Sequence, residues 1–436
     1  MNLRLVLLVL SVFLSLSISA DRTLTNCPSA WSTVSNSPPL EQGLGVNIHF
    51  TDPKPGEMKM ISQAGFHWIR MDFKWDTTEL ERGRYDFSAY DRLMQSLDEY
   101  GLRALFILDY GNPLYTADKA VRTEEGRRAF AQWAAAAAKH FANRGVVWEI
   151  FNEPNVRMFW PPQPNAAEYI ALALAVGRAF RAEAPNEKLI GPATSGIDFN
   201  FLEACFKAGL LDYWSAVSVH PYRQSDPEDA ANDYCRLRQL IDRYRGVKRT
   251  GGSDSVIPII SGEWGFSSAW PRMDEARQGG LLARELLTNL ANGIPISIWY
   301  DWRDDGPDPS EPEHHFGLVR NNYLSERYGA FQPKPAYLAA KTLTDLFSGY
   351  SFQKRLAVGS NEDYVLVFTN GANHRMTAWT TSPTSHRIAI PDTEASSVVI
   401  SPTGETRTAV SSVQAKVVIE ISRDPVYIVR DPRSGN

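Results

Sequence analysis

Residues 103–155 read RALFILDYGNPLYTADKAVRTEEGRRAFAQWAAAAAKHFANRGVVWEIFNEPN, and this stretch holds one complete strand–helix–strand unit. Arg103–Tyr110 and Val146–Asn152 are apolar runs of strand length, and Gly126–Asn143 between them has the length and amphipathic texture of a helix. The same alternation recurs on both sides. Further strand candidates are Leu44–Phe50, Trp68–Trp75, Lys188–Ala193, Ala216–His220, Pro258–Glu263 and Ile296–Asp301. Helical stretches follow at Ala166–Ala184, Asp229–Tyr244, Met273–Asn292 and Lys334–Phe347. Eight strands, each followed by a helix, are what a closed parallel (β/α)8 barrel, the TIM barrel, requires. A doubly wound open sheet competes, but it usually has fewer strands and often a glycine-rich first turn, which is missing after Phe50. The pattern therefore predicts an α/β barrel over residues 40–349.

Beyond Ser348-Gly349 the helical period disappears. Short alternating runs take over at Tyr364–Thr369, Met376–Thr380, His386–Ile390, Ser397–Ile400, Ala415–Ile421 and Pro425–Val429, separated by turns such as Asn370-Gly371 and Thr403-Gly404. They predict a small antiparallel β-sandwich over residues 350–436, to which residues 21–39 could add a strand.

Residues 1–20 begin with Arg4, continue through an apolar run from Leu5 to Leu14 and exit at Ser19-Ala20, the pattern of a signal peptide. The expected location is secreted or periplasmic; an uncleaved membrane anchor is the alternative. Export permits disulfides, and Cys205 and Cys235 flank one predicted strand closely enough to meet, with buried thiols as the other reading. A formal net charge of −5 over 436 residues argues against a nucleic-acid binder, which needs a basic stripe. Nor does it suggest an anionic membrane surface as partner once the signal is cleaved. Neutral ligands fit best, and twelve Trp with seventeen Tyr supply flat faces suited to sugar rings.

Parallel barrels place their chemistry at the carboxyl ends of the strands. Strand four ends Trp148-Glu149-Ile150-Phe151-Asn152-Glu153-Pro154-Asn155, and strand seven ends Ser261-Gly262-Glu263-Trp264-Gly265. Each delivers a carboxylate to one mouth from opposite sides of the ring. Hydrolysis of a glycosidic bond with retention needs such a pair, one carboxyl to protonate the leaving oxygen and one to attack the anomeric carbon. Solvated strand-end acids are the bland alternative. Glu149, deeper in strand four, reads better as a buried, paired carboxylate than as a third catalyst.

Asn152-Glu153-Pro154 and Gly262-Glu263-Trp264 resemble the signature of clan A of the glycoside hydrolases. The octad Trp148–Asn155, the stretch Asp109–Tyr115 and the trailing sandwich look most like family 39, with family 5 next. The resemblance implies Glu153 as acid/base, Glu263 as nucleophile and Asn152 as a ligand of the sugar 2-hydroxyl. It also implies Arg70 beside the nucleophile, His220 and Tyr222 of strand six as its orienting groups, and a strand-eight Trp under the attacked sugar. Trp299 is favoured for that last role over Trp302. Barrel salt-bridging with Asp72 is the alternative for Arg70.

Asn47 and His49, at the end of strand one, share a face and are expected to contact hydroxyls, as are the strand-end acids Asp109 and Asp301. The loop from Met158 to Pro162, with Trp160, is expected to give Glu153 apolar cover and a leaving-group platform. His314 and His315 lie among acids in the loop after strand eight; a metal site there is conceivable, but solvated loop charge is preferred, and the chemistry needs no metal or other cofactor. Trp75, Tyr110, Tyr115, Trp160, Trp264 and Trp270 near the mouth suggest a groove. The reading is thus a monomeric retaining hydrolase of β-linked polysaccharide or oligosaccharide, endo-acting. An exo-β-glycosidase or a non-catalytic carbohydrate-binding barrel are the alternatives.

Overall fold

The computed structural model describes residues 39–245, 256–321, 331–391, 396–411 and 414–430. Its centre is a closed barrel of parallel strands in chain order: β1 Leu44–Asn47, β2 Trp68–Lys74, β3 Arg103–Asp109, β4 Val147–Ile150, β5 Lys188–Ser195, β6 Ala216–His220, β7 Ile259–Trp264 and β8 Ser297–Trp299. Ser297 of β8 pairs with Leu44 of β1, so the ring leaves no free edge. All eight strands stand where the sequence puts them. Strands β1, β4 and β8 are shorter than the apolar runs, because the last residues of each run leave the ladder to build the mouth.

The helices are α1 Glu57–Gln63, α2 Trp75–Thr78, α3 Ser88–Glu99, α4 Glu124–His140, α5 Ala166–Glu183, α6 Phe199–Lys207, α7 Ala230–Arg245, α8 Glu275–Ala291 and α9 Pro335–Phe347. Their starts are written locally. Thr123 accepts from Gly126 N, Asn165 from Ala167 N and Glu168 N, and Asp274 from Arg277 N, each satisfying N–H groups that the first turn leaves unpaired. None of these helices is long and apolar enough to cross a membrane.

After β8 come a two-stranded ribbon, β9 Val319–Asn321 with β10 Phe331–Pro333, and then eight antiparallel strands: β11 Ser351–Arg355, β12 Asp363–Thr369, β13 His374–Thr380, β14 His386–Pro391, β15 Ser396–Ile400, β16 Thr406–Ser411, β17 Lys416–Ile421 and β18 Val426–Arg430. Six form one sheet in the order β11-β12-β13-β18-β15-β16, and β14 pairs with β17 over it. Side-chain alternation explains how this sheet serves two cores. Val365, Ala378 and Ile428 face the β14–β17 pair, whereas their neighbours Leu366, Trp379 and Tyr427 join the core of the barrel and its helices. Strands β11 and β16 escape the sequence pattern for a physical reason. They are the polar outer strands of the sheet, and an edge strand that must not recruit a further chain shows weak apolar alternation.

The expected signal peptide, the segment 21–39 up to Pro38 and Cys27 lie outside the described residues. Cys205 is a free, buried thiol, and Cys235 is disulfide-bonded, so the two do not pair with each other.

Candidate active site

The barrel interior is layered by strand parity. Trp68, Leu105, Val147, Ile190, Ala216, Ile260 and Ile298 form a buried apolar layer. Two residues further along four of these strands stand Arg70, Glu149, Ser218 and Gly262, a polar layer directly above it. Glu149 accepts from Arg70 Nε at 2.8 Å and from the Ser218 hydroxyl. A side chain at Gly262 has no room, since a Cβ there would lie 2.4 Å from Ser218 Oγ and 3.0 Å from Glu149 Oε1. This glycine keeps the neighbouring Glu263 backbone close to the polar layer.

Arg70, 1% exposed, is the hub of the site. Besides Glu149, its Nη1 donates to Asn47 Oδ1 at 3.2 Å and to Glu263 Oε2 at 2.5 Å. Its Nη2 donates to Asn152 Oδ1 at 2.8 Å and lies 3.2 Å from His220 Nε2. A guanidinium only donates, so His220 Nε2 accepts and the ring proton sits on Nδ1, which reaches Glu153 Oε1 at 2.9 Å. Tyr222 donates to the other oxygen of Glu263 at 2.9 Å. Burial alone would raise the Glu263 carboxyl. The positive charge around it, that of Arg70 included, together with the Tyr222 hydroxyl, outweighs burial and holds it below the usual carboxylate range.

Regular alternation would place Asn152 and Glu153 on opposite faces. Instead β4 ends at Ile150, and Phe151 (φ 66°) and Glu153 (φ 44°) both take left-handed conformations. Each such residue costs on the order of 1–3 kcal/mol and persists only where its surroundings fix it. Here Phe151 N donates to Leu108 O at 3.1 Å and Glu153 N to Ala193 O at 3.0 Å. Asn155 braces the next turn through Ser195 N at 2.9 Å and Ser195 O at 3.0 Å. Both Asn152 and Glu153 therefore face the cleft. One oxygen of Glu153, one oxygen of Glu263 and a ring nitrogen of His220 lie within 4.8 Å of one another. So close an approach of their oxygens is in keeping with a retaining pair, whose carboxyls stand about 5–5.5 Å apart.

The cleft above them measures about 980 Å3. Asn47, His49, Arg70, Asn152, Tyr222 and both glutamates line it, as the sequence leads one to expect. Trp160 and Trp299 do not. Both are fully buried: the Trp160 indole donates to Glu168 at 2.8 Å, and the Trp299 indole to Phe316 O at 3.3 Å. Strand β8 stops at Trp299, so strand alternation no longer governs the residues after it, and the aromatic it offers the cleft is Tyr300. Trp302 is buried as well, donating to Glu57 at 2.9 Å. Of the other expected groove aromatics, Tyr110 and Trp270 line the cleft, whereas Trp75 and Trp264 are core and Tyr115 stacks on Trp75 at 5.2 Å. Asp109 and Asp301, expected to meet hydroxyls, are buried outside it. Burial first, then Asp72 beside the one and Asp305 beside the other, pushes both carboxyls well above their ordinary range.

The aromatic surface that Trp160 does not give the cleft comes from Tyr110 and Phe159. Tyr110 and Phe159 stack at 5.6 Å with their planes 8° apart, on the Glu153 side of the cleft. Lys119 Nζ lies 4.9 Å from one ring centre and 5.0 Å from the other. From the loop after β8, Glu313 reaches into the cleft, where desolvation of its carboxyl, then Glu263 and Asp305, push it up to about 7. Neither Phe159 nor Glu313 could be singled out from sequence, because each sits on a loop whose course is set by tertiary contacts. His314 and His315 turn to their own loop: Asp308 N donates to His314 Nδ1 at 3.2 Å, and His315 Nε2 lies 2.8 Å from Asp308 O.

A closed (β/α)8 barrel whose strands four and seven bring two carboxylates into one cleft, over an arginine hub, defines a glycoside hydrolase of the retaining kind. Residues 35–305 match the family model described as cellulase (glycosyl hydrolase family 5), and the chain belongs to that family within clan A. No curated protein matches the chain. Among solved structures it is similar to a family 39 glycoside hydrolase from the gut symbiont Bacteroides cellulosilyticus WH2, at 26% identity and a TM-score of 0.76, covering 90% of this chain and 81% of that one. It also shares its fold with a monomeric β-xylosidase from Caulobacter crescentus CB15 (15% identity, TM-score 0.64, 91% and 97% covered). A family 30 endoxylanase from Clostridium papyrosolvens C71 does so too (12%, 0.64, 92% and 98%).

Proposed function

We propose that this chain is an exported, monomeric, endo-acting β-glycanase in which Glu263 is the nucleophile and Glu153 the acid/base. The observation that carries the assignment is the asymmetry of the two carboxylates. Glu263 is clamped by Arg70 and Tyr222, which suits a group that must attack as the anion. Glu153 accepts on Oε1 from the neutral His220 ring and keeps Oε2 for a proton aimed at the leaving oxygen. In the first half-reaction Glu263 attacks the anomeric carbon as Glu153 protonates the departing sugar. In the second, Glu153 takes a proton from water, which releases the sugar from Glu263. Asn152, fixed by Arg70, presents its amide group to the sugar 2-hydroxyl.

Endo action is supported by the size of the cleft, at the top of the range for small-molecule sites of about 300–1,000 Å3. The Tyr110–Phe159 pair supports it too, giving the leaving side its own sugar platform. Xylan and cellulose head the polymers to test, since an endoxylanase and a β-xylosidase share the fold and the family model is that of cellulases. The deciding experiment is a time course of products from a panel of β-linked polysaccharides, resolved by mass, with Glu263→Ala as control. Mixed oligosaccharides at early times, absent in the mutant, are expected. Monosaccharide alone would replace endo by exo action. Tight glycan binding with no product from any polymer would leave a binding protein instead.

A further inference from the structure

The β-sandwich reaches the cleft through one short segment, residues 221–229 between β6 and α7. One end of it holds the nucleophile: Tyr222 donates to Glu263, and the Arg223 guanidinium lies 5.5 Å from the centre of the Trp264 ring. The other end faces away from the cleft. Asp226 is bound by Arg284 of α8 at 3.1 Å and by Arg423, from the turn between β17 and β18. Glu228, 5% exposed, accepts from Arg284 Nε at 2.8 Å and Nη2 at 2.6 Å, and from the Trp379 indole of β13 at 2.6 Å. Trp379 is itself stacked on Tyr364, with ring centres 5.1 Å apart and planes 6° apart.

These contacts have different energetic weights. Removing a donor from a buried carboxylate leaves it partly unpaired, so the segment shifts rather than loses a neutral contact. Between Tyr222 and Asp226 the chain is too short to absorb that shift, four residues spanning at most about 14 Å when extended. We propose that the β-sandwich is a working part of the active site: Trp379 and Arg423 clamp Asp226 and Glu228 and thereby position Tyr222 against Glu263. Neither residue touches substrate, so both are positioning residues. The inference rests on Glu263 being the nucleophile.

The test is a double-mutant cycle on a soluble aryl-glycoside or oligosaccharide that the wild type cleaves. Trp379→Phe keeps an aromatic ring, though a smaller one, and removes the indole N–H. It is expected to lower kcat about five- to twentyfold with little change in KM, and to move the acid limb of the pH profile upward, as weaker Tyr222 bonding predicts. In a Tyr222→Phe background the same change is expected to have almost no further effect. Arg423→Gln, at a side chain 39% exposed, should act in the same direction and carries the test if Trp379→Phe does not fold. An equal loss in both backgrounds, or a lower Tm with wild-type kcat and pH profile, overturns the positioning role. Full activity of Glu263→Ala on that substrate would instead sink the nucleophile assignment beneath it.

Discussion

Arg70 uses every donor it has: Nε on Glu149, Nη1 on Asn47 and Glu263, Nη2 on Asn152 and His220. A lysine has three donors on one point charge and cannot reproduce that fan. Arg70→Lys is therefore expected to lower kcat/KM by roughly 10²–10³, the scale seen when one preorganised stabilising donor is lost. Steady-state kinetics on a folded variant checks this. Tyr222 is the more delicate probe. Attack requires ionised Glu263, so the rate falls as pH drops through the titration of that carboxyl. Tyr222→Phe removes a bond that holds it low. Glu263 then protonates at higher pH, and the acid limb of kcat/KM should move up. An unmoved limb would assign that limb to another group. Gly262→Ala should reduce both stability and rate, because its methyl must displace Ser218 or Glu149; a denaturant melt at wild-type midpoint would contradict the packing argument.

At the scale of elements, the barrel and its helices are set locally and the mouth is not. Caps, apolar runs and helix lengths are short-range properties, and they can be altered without touching the chemistry. Asn165→Ala removes the acceptor for two N–H groups at the start of α5, and should cost about 1 kcal/mol in chemical denaturation while leaving kcat unchanged. The mouth depends on how elements meet. The left-handed turn at Phe151 and Glu153 exists because β3 and β5 supply the carbonyls of Leu108 and Ala193. The burial of Trp160 and Trp299 follows from acceptors on α5 and on the loop after β8. Aromatic residues beside a site are poor indicators for this reason: an indole that finds a buried acceptor is core, and a neighbour such as Phe159 or Tyr300 faces the cleft instead.

Across the whole molecule, one sheet completes two cores. Phe347 of α9 meets Phe368 at 4.9 Å and Tyr427 at 5.5 Å, so barrel and sandwich share a continuous apolar seam. A chain ended at Gly349 would expose that seam, and its soluble yield should collapse; a soluble, monodisperse truncation by size-exclusion chromatography would show the seam to be dispensable. The two-carboxylate reaction makes no demand for a metal, so activity should survive exhaustive chelation, and its loss and recovery with added divalent ions would revise the mechanism.

The sequence by itself determined the strand–helix alternation that makes a barrel, the change to a β-sandwich after Gly349, and the delivery of Glu153 and Glu263 to one mouth; Arg70, Asn152, His220 and Tyr222 came from the resemblance to clan A. The alternation, the change of texture and the two strand-end carboxylates follow from periodicity and from position at strand ends, which are local and repeat eight times around the ring. Only the tertiary structure decided which aromatics face the cleft, why Asn152 and Glu153 share a face, that Cys205 and Cys235 do not pair, and how the sandwich grips the segment carrying Tyr222. Each of those depends on a hydrogen-bond acceptor, a cavity or a partner chain segment far away in sequence, and pattern along the chain carries no information about what stands opposite.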